Sequence, residues 1–275
     1  MAAIDVIAPV ARAAAPRRYR PWRQLGRAAA GFAVPAALLG AWQAARALDL
    51  VAEQVLPAPA LVWQTLVEVA ASGELWDNLS ISLARGAVGF VIGAMLGLGL
   101  GAAMGLSGRA ERMFRPTLIL VAIIPVVGWL PLLMLLLGIG EALKITIIAK
   151  AAFTPVVLAT MNGFRQVPPA YVEVGRVYRF SRWQVLRRIM LPASLLPVFT
   201  GLRNGLTTAW VTLVVVEMLA STEGIGYLMV WGRQLFQLDL MLAMMAVIGA
   251  IGYVMDRLLV AGEARLQRRF GGRAT

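Results

Sequence analysis

Glu217 stands in one of the most apolar stretches of the chain, directly behind Val214, Val215 and Val216. A carboxylate in such a run must face a counter-charge, a cavity or a seam between subunits, because hydrocarbon leaves its charge unsolvated. The same stretch supplies Arg203, Asn204, Thr207, Thr208, Trp210 and Thr212, and residues 203, 207 and 210 are three or four apart, so they can share one helical face. Guanidinium, hydroxyl and indole donors on one face suit a small oxyanion; they suit hydrogen bonds between helices equally well. An anion would be repelled by Glu217, which therefore reads as a gating or structural partner of Arg203 or Arg85. Catalysis has a poor inventory, with 0 His and 0 Cys: the commonest general base and zinc ligand and all thiolate chemistry are missing. Met95, Met134, Met218 and Met229 read as apolar filling.

The elements that position these groups are membrane spans. The 275 residues are 60% apolar and 15% charged, with mean hydropathy +0.75, whereas a soluble domain needs about 25% charged residues to face water. Six stretches approach the roughly 20 residues that cross a hydrocarbon core: 28–48, 81–106, 116–137, 143–163, 194–220 and 239–261. The first contains Pro35 and Arg46, and the fourth Lys150 and Pro155; Lys150 can snorkel or face the bundle interior. In the second, Gly89, Gly93, Gly97, Gly101 and Gly105 recur every four residues, a packing face for a neighbouring helix. No segment supplies the Lys and Ser or Thr that close a Walker phosphate loop, so no ATP site of its own is expected.

The formal charge of +12 falls in short clusters between apolar runs, which points to cytoplasmic loops and away from nucleic acid. Arg12, Arg17, Arg18, Arg20, Arg23 and Arg27 precede the first span; Arg109, Arg112 and Arg115 follow the second. Arg165, Arg176, Arg179, Arg182, Arg187 and Arg188 lie between the fourth and fifth, and Arg257, Arg265, Arg268, Arg269 and Arg273 close the chain. Residues 49–80 instead hold Asp49, Glu53, Glu68, Glu74 and Asp77 with no Lys or Arg, which predicts that both termini are cytoplasmic. The first 27 residues hold six Arg and no long apolar core, so the run after them is expected to be an uncleaved span, not a cleaved signal. The expected organisation is a basic cytoplasmic segment 1–27, a transmembrane domain 28–265 and a cytoplasmic tail 266–275. Outside the membrane, Pro57 and Pro59 followed by Leu61, Thr65, Leu66 and Val69 predict a short amphipathic helix ending near Gly73, serving as a lid or as contact for a docking partner.

Between the fourth and fifth spans, Pro168 and Pro169 end one helix and seat the next over 170–179. Ser181 can cap a second short helix with Val185, Leu186 and Ile189 on one side and Arg182, Arg187 and Arg188 on the other. Pro192 and Pro197 break or bend the return into the membrane. The stretch from Tyr171 to Pro192, YVEVGRVYRFSRWQVLRRIMLP, resembles the EAA loop of ABC importer permeases. Glu173 takes the Glu position, Val174 and Gly175 the two Ala positions, and Ile189, Leu191 and Pro192 the closing Ile-x-Leu-Pro. Arg179 stands where that pattern has glycine, a departure that bears on how the turn between the two short helices is made. The segments Ser72–Phe90, Trp129–Ile145 and Thr200–Met229 further resemble type I permeases serving taurine, aliphatic sulfonates, nitrate and related compounds.

The resemblance implies an all-α integral membrane protein with six transmembrane helices in a type I ABC importer permease fold and coupling helices in loop 165–192. It implies a transport subunit, not an enzyme, in the bacterial inner membrane. Its partners would be membrane lipid, a second copy, two ATP-binding subunits that hold ATP and Mg, and a periplasmic substrate-binding protein. Coupling to the ATPase would fall to Tyr171, Glu173, Gly175, Arg179, Ser181, Arg182, Trp183, Leu191 and Pro192. The pathway or gate candidates are Arg203, Thr207, Trp210 and Glu217; Glu223, Gly224, Gly226 and Arg233, near Trp231 and Phe236, would form an external re-entrant or docking region. A nitrate or other small-solute permease is the nearest alternative. An integral membrane enzyme would need a convergent catalytic set, and an ion-coupled secondary transporter an inverted repeat with ion ligands; neither pattern is visible.

Overall fold

The computed structural model describes residues 21–52 and 55–270. Arg12, Arg17, Arg18 and Arg20 of the expected basic segment, Glu53, and Arg273 of the expected tail lie outside them. The chain divides into two units, residues 1–51 and 52–275. The first contains helix α1, Pro21–Ala47. It ends in a Schellman turn: Asp49 takes φ +49°, its N–H reaches the Arg46 carbonyl at 3.1 Å, and the Leu50 N–H reaches Ala45 at 3.0 Å.

The second unit begins with α2, Pro59–Ala71, the helix expected outside the membrane. Gly73, at φ +90°, turns the chain into α3, Glu74–Leu106. After α3 come α4, Gly108–Ile123, a 3₁₀ turn at Val126–Trp129, α5, Leu130–Leu137, and α6, Glu141–Arg165. Two short helices follow, α7, Pro169–Val177, and α8, Arg182–Val185, the latter running through a widened π turn at Leu186–Met190 into α9, Leu191–Ala220. The unit closes with α10, Ile225–Gln234, and α11, Leu238–Phe270.

Helix α6 is the centre, packed by α3 on one side and α9 on the other. The glycine stripe of α3 makes this possible. A Cβ at Gly97 would stand 2.9 Å from Val156 Cβ, and one at Gly101 2.7 Å from both Thr160 Cβ and the Val157 carbonyl. From the other side, a Cβ at Gly205 of α9 would lie 2.8 Å from Val156 Cγ2. Three backbones therefore approach within distances that only missing side chains permit, gaining van der Waals contact where lipid offers no hydrophobic drive. Ile148, Ala152, Ala209, Trp210 and Leu213 fill the core between α6 and α9.

The structure is all-α and multi-pass, but it corrects the expectation of six transmembrane helices. Among the described residues, four helices are long and apolar enough to cross a membrane: Glu74–Leu106, Glu141–Arg165, Arg182–Ala220 and Leu238–Arg268. A fifth is reached only if α4 and the segment after it count as one broken span. The expected span 116–137 is bent there by 94°. Its cause is Pro125: the ring disfavours the helical conformation for the residue before it, and Ile124 takes ψ +118°. The expected first span, 28–48, is not among the four. It holds ten alanines in its 21 residues, together with Pro35, Gly40, Gln43 and Arg46.

Candidate functional site

Asn78, Ser82 and Arg85 fall on one face of α3 at helical spacing, near its start. Glu141 opens α6, and Glu217 lies in the last turn of α9, so all of them meet at one end of the bundle. Glu217 is 1% exposed and Arg85 3%. Buried ions persist only when their remaining donors and acceptors are satisfied, and here they are. Ser82 Oγ lies 2.8 Å from each Glu217 carboxylate oxygen, Arg85 Nη1 donates to Oε1 at 3.1 Å, and the Gly226 N–H to Oε2 at 3.1 Å. The guanidinium fork grips Glu141 bidentately, Nε to Oε2 at 2.7 Å and Nη2 to Oε1 at 2.5 Å. It also donates to the Glu223 carboxylate at 2.7 Å and the Glu223 carbonyl at 2.9 Å. Lys144 Nζ adds 2.8 Å to Glu141.

The loop between α9 and α10 folds over this network because of two glycines. Gly224 takes φ +106°, and a Cβ there would collide with the Glu217 carboxylate; a Cβ at Gly226 would stand 2.6 Å from the Val214 carbonyl. The first donors of α10, which have no partner within the helix, are then capped by other elements: Gly224 N–H by Asn78 Oδ1 at 2.7 Å, Ile225 N–H by Ser82 Oγ at 2.9 Å, and Gly226 N–H by Glu217. Glu217, Glu223, Gly224 and Gly226 are thus brought together. The structure pairs Glu217 with Arg85 and gives Arg203 other partners. Asn78, Ser82, Glu141 and Lys144 were not singled out from sequence, although the 78, 82, 85 polar stripe on an apolar helix was available as a signal. Arg233 is exposed at the far end of α10, where Trp231 stacks on Tyr227 at 5.9 Å between centroids.

The other pathway candidates do not converge. Arg203 turns to α11, bonding Asp256 at 2.7 and 3.1 Å and Glu263 at 3.2 Å. Thr207 Oγ1 donates to the Arg203 carbonyl one turn back at 3.1 Å, and Trp210 is buried in the α6–α9 core.

At the opposite end, between the last residue of α6 and the first of α9, stand α7 and α8. Gly175 lets them touch: a Cβ there would lie 2.8 Å from Ile189 Cδ1 and 3.3 Å from Val185 Cγ2. Ser181 and Gln184 form a reciprocal capping box, the side chain of Ser181 accepting from Gln184 N–H at 3.3 Å and that of Gln184 accepting from Ser181 N–H at 2.8 Å. Arg179 adopts φ +53°, the left-handed conformation that glycine takes at no steric cost. Its N–H bonds the Arg176 carbonyl at 2.9 Å and the Phe180 N–H bonds Gly175 at 2.9 Å. This is a Schellman turn with Arg179 at the left-handed position, so the turn keeps the geometry that glycine would supply. Glu173, Tyr171, Arg182, Trp183 and Leu191 are exposed around it, and Pro192 is half-buried at the head of α9.

Residues 91–268 match the family described as binding-protein-dependent transport system inner membrane component. The chain is 36% identical over 249 residues to a putative aliphatic sulfonates transport permease protein of Bacillus subtilis, covering 90% of each. It is 34% identical to the taurine transport system permease protein of Escherichia coli, over 85% of this chain and 86% of the relative. Among solved structures it is similar to an amino acid ABC transporter, with TM-score 0.62, 15% identity and coverage of 73% and 97%, and to the MetNI methionine ABC transporter, with TM-score 0.55, 18% identity and coverage of 71% and 95%. At those identities the structures speak for the fold alone. The chain therefore belongs to the binding-protein-dependent transport family, as a non-catalytic inner-membrane permease subunit of a multi-subunit ABC importer of small solutes.

Proposed function

We propose that this subunit carries an aliphatic sulfonate or taurine by alternating access, as one of two copies, with both termini cytoplasmic. A periplasmic binding protein delivers the cargo, and each loop 165–192 seats in a groove of a separate subunit that binds ATP and Mg. The observation that carries the reading is the α7–α8 pair. Its two helices are locked by the Gly175 contact, the capping box and the Arg179 turn, yet Tyr171, Val174, Val177, Tyr178 and Trp183 are left 53–80% exposed. A rigid pair with an exposed aromatic and aliphatic surface and flanking arginines suits a protein groove. It leads through the π turn into α9, so displacement at the loop reaches Glu217 along about 50 Å of helix. The two relatives named for sulfonates and taurine support the substrate class.

The external network completes the reading as a gate. Glu141 and Glu223 are about half exposed while Arg85 is buried, so the guanidinium can exchange carboxylate partners when α9 moves. The test is reconstitution of this chain with its ATPase and binding protein in proteoliposomes, assayed with taurine, ethanesulfonate, nitrate and sulfate. Substrate-stimulated ATP hydrolysis and sulfonate uptake are expected; equal uptake with a hydrolysis-deficient ATPase would overturn the mechanism.

A further inference from the structure

Lys150 lies about 13 Å along α6 from Glu141 and about 22 Å from Arg165, near the middle of the span. A cation at that depth costs several kcal/mol unless something repays its desolvation. Arg85, Lys144, Arg165 and Arg203 all meet carboxylates. Lys150, among the described residues, makes no ion pair. Its Nζ donates to the Ile124 carbonyl at 3.1 Å, the acceptor beside the Pro125 break, and stands 5.5 Å from the centroid of the Trp129 ring. The indole N–H of that same Trp129 is buried with no hydrogen-bond partner. A cation without a counter-ion and an unused donor thus stand beside one another.

Lys150 borders a cavity of about 380 Å³, within the range of small-molecule sites. Lys150 and Thr146, one turn apart on α6, supply its polar wall, and Ile92, Leu96 and Phe153 part of its apolar one. One positive charge, a hydroxyl and an apolar wall match a monoanion with a small organic group. We infer that Lys150, with Thr146, is an anion subsite of the translocation pathway. It takes the sulfonate group of the cargo while the organic part lies against Ile92, Leu96 and Phe153. The inference rests on the reading of the cargo as a sulfonate. The Ile124 carbonyl and Trp129 ring hold the ammonium while the site is empty, and the incoming oxyanion supplies the missing counter-charge.

The experiment uses the full transporter with its ATPase and binding protein in proteoliposomes, with radiolabelled taurine and ethanesulfonate as probes. Lys150→Gln keeps a donor for the Ile124 carbonyl and removes the charge; Lys150→Arg keeps the charge. Uptake per ATP hydrolysed is expected to fall at least about tenfold in Lys150→Gln, the lower bound for losing a hydrogen bond to a charged group. In Lys150→Arg it is expected to stay within about threefold of the unmodified protein, because an equal charge at this position still meets the anion. Lys150→Gln carrying both sulfonates at the unmodified rate would overturn the subsite alone, leaving Lys150 as a brace for the bend. Equal loss in both variants would also overturn it, because charge would then not be the determinant. An unmodified complex that hydrolyses ATP but carries neither sulfonate would remove the substrate reading and the subsite together.

Discussion

Replacing Arg85 with methionine gives the sharpest test of the buried network. The side chain is 3% exposed and makes bonds to Glu141, Glu217 and Glu223. Glu141 and Glu223 keep about half their surface in contact with solvent and can rehydrate; Glu217, at 1%, cannot. The cost is therefore set by one carboxylate left in a dry site with only Ser82 and the Gly226 N–H. Leaving one buried ion unpaired costs about 3–5 kcal/mol, which is a factor of roughly two to three and a half orders of magnitude in the folded fraction. Glu217→Gln alone keeps a carbonyl for Ser82 and Gly226 but leaves the buried part of the guanidinium short of one acceptor. Because the two residues act on the same contact, the double variant is expected to lose less than the sum, with a coupling of at least about 1 kcal/mol. Equilibrium unfolding in mixed micelles measures all three variants. A loss below about 1 kcal/mol for Arg85→Met, or strict additivity in the double variant, would refute the assignment of Glu217 as the dependent ion.

The glycine stripe predicts a contrast within α3. Gly101→Ala would drive a Cβ to 2.7 Å from the Val157 carbonyl, whereas Gly99 has nothing within 4 Å of the same atom; a loss of about 1–3 kcal/mol is expected for the first and none for the second by thermal unfolding of the purified subunit. Arg179→Gly should stabilise the α7–α8 turn by roughly 1 kcal/mol, since it removes the steric cost of a side chain at φ +53°. Slower amide exchange at Arg179 and Phe180 would report it, and Arg179→Val should speed that exchange. Glu173→Ala is expected to weaken association with the ATPase while membrane insertion is kept, as measured by co-purification; unchanged association and coupling would count against the proposed lever.

Much of the fold is legible locally. Hydropathy marks α3, α6, α9 and α11, because a run of apolar residues long enough to span announces itself wherever it lies. The stripe Gly89 to Gly105 marks a packing face, and Ser181 and Gln184 mark a cap, because each effect is made by residues a few positions apart. The break at Pro125 is also written in the chain, yet the apolar residues on either side, Ile123, Ile124, Val126 and Val127, make 116–137 read as one span. Hydropathy carries no information about direction.

The candidate site was legible only in part. Sequence alone determined that Glu217 and Lys150 are anomalous, since charge in an apolar run is a local property of the chain. Which groups answer them was decided by tertiary structure. Arg85 is 132 residues from Glu217 in the chain, and Arg203, an equal candidate by charge and far nearer in sequence, stands about 21 Å from Glu217 along the same helix. The choice follows from packing. The bare glycine faces of α3 and α9 bring the start of one helix against the end of the other across α6, while Arg203 is left facing Asp256 and Glu263 on α11. Coulombic attraction acts over a few ångströms, so helix contacts, not spacing along the chain, assign the partners.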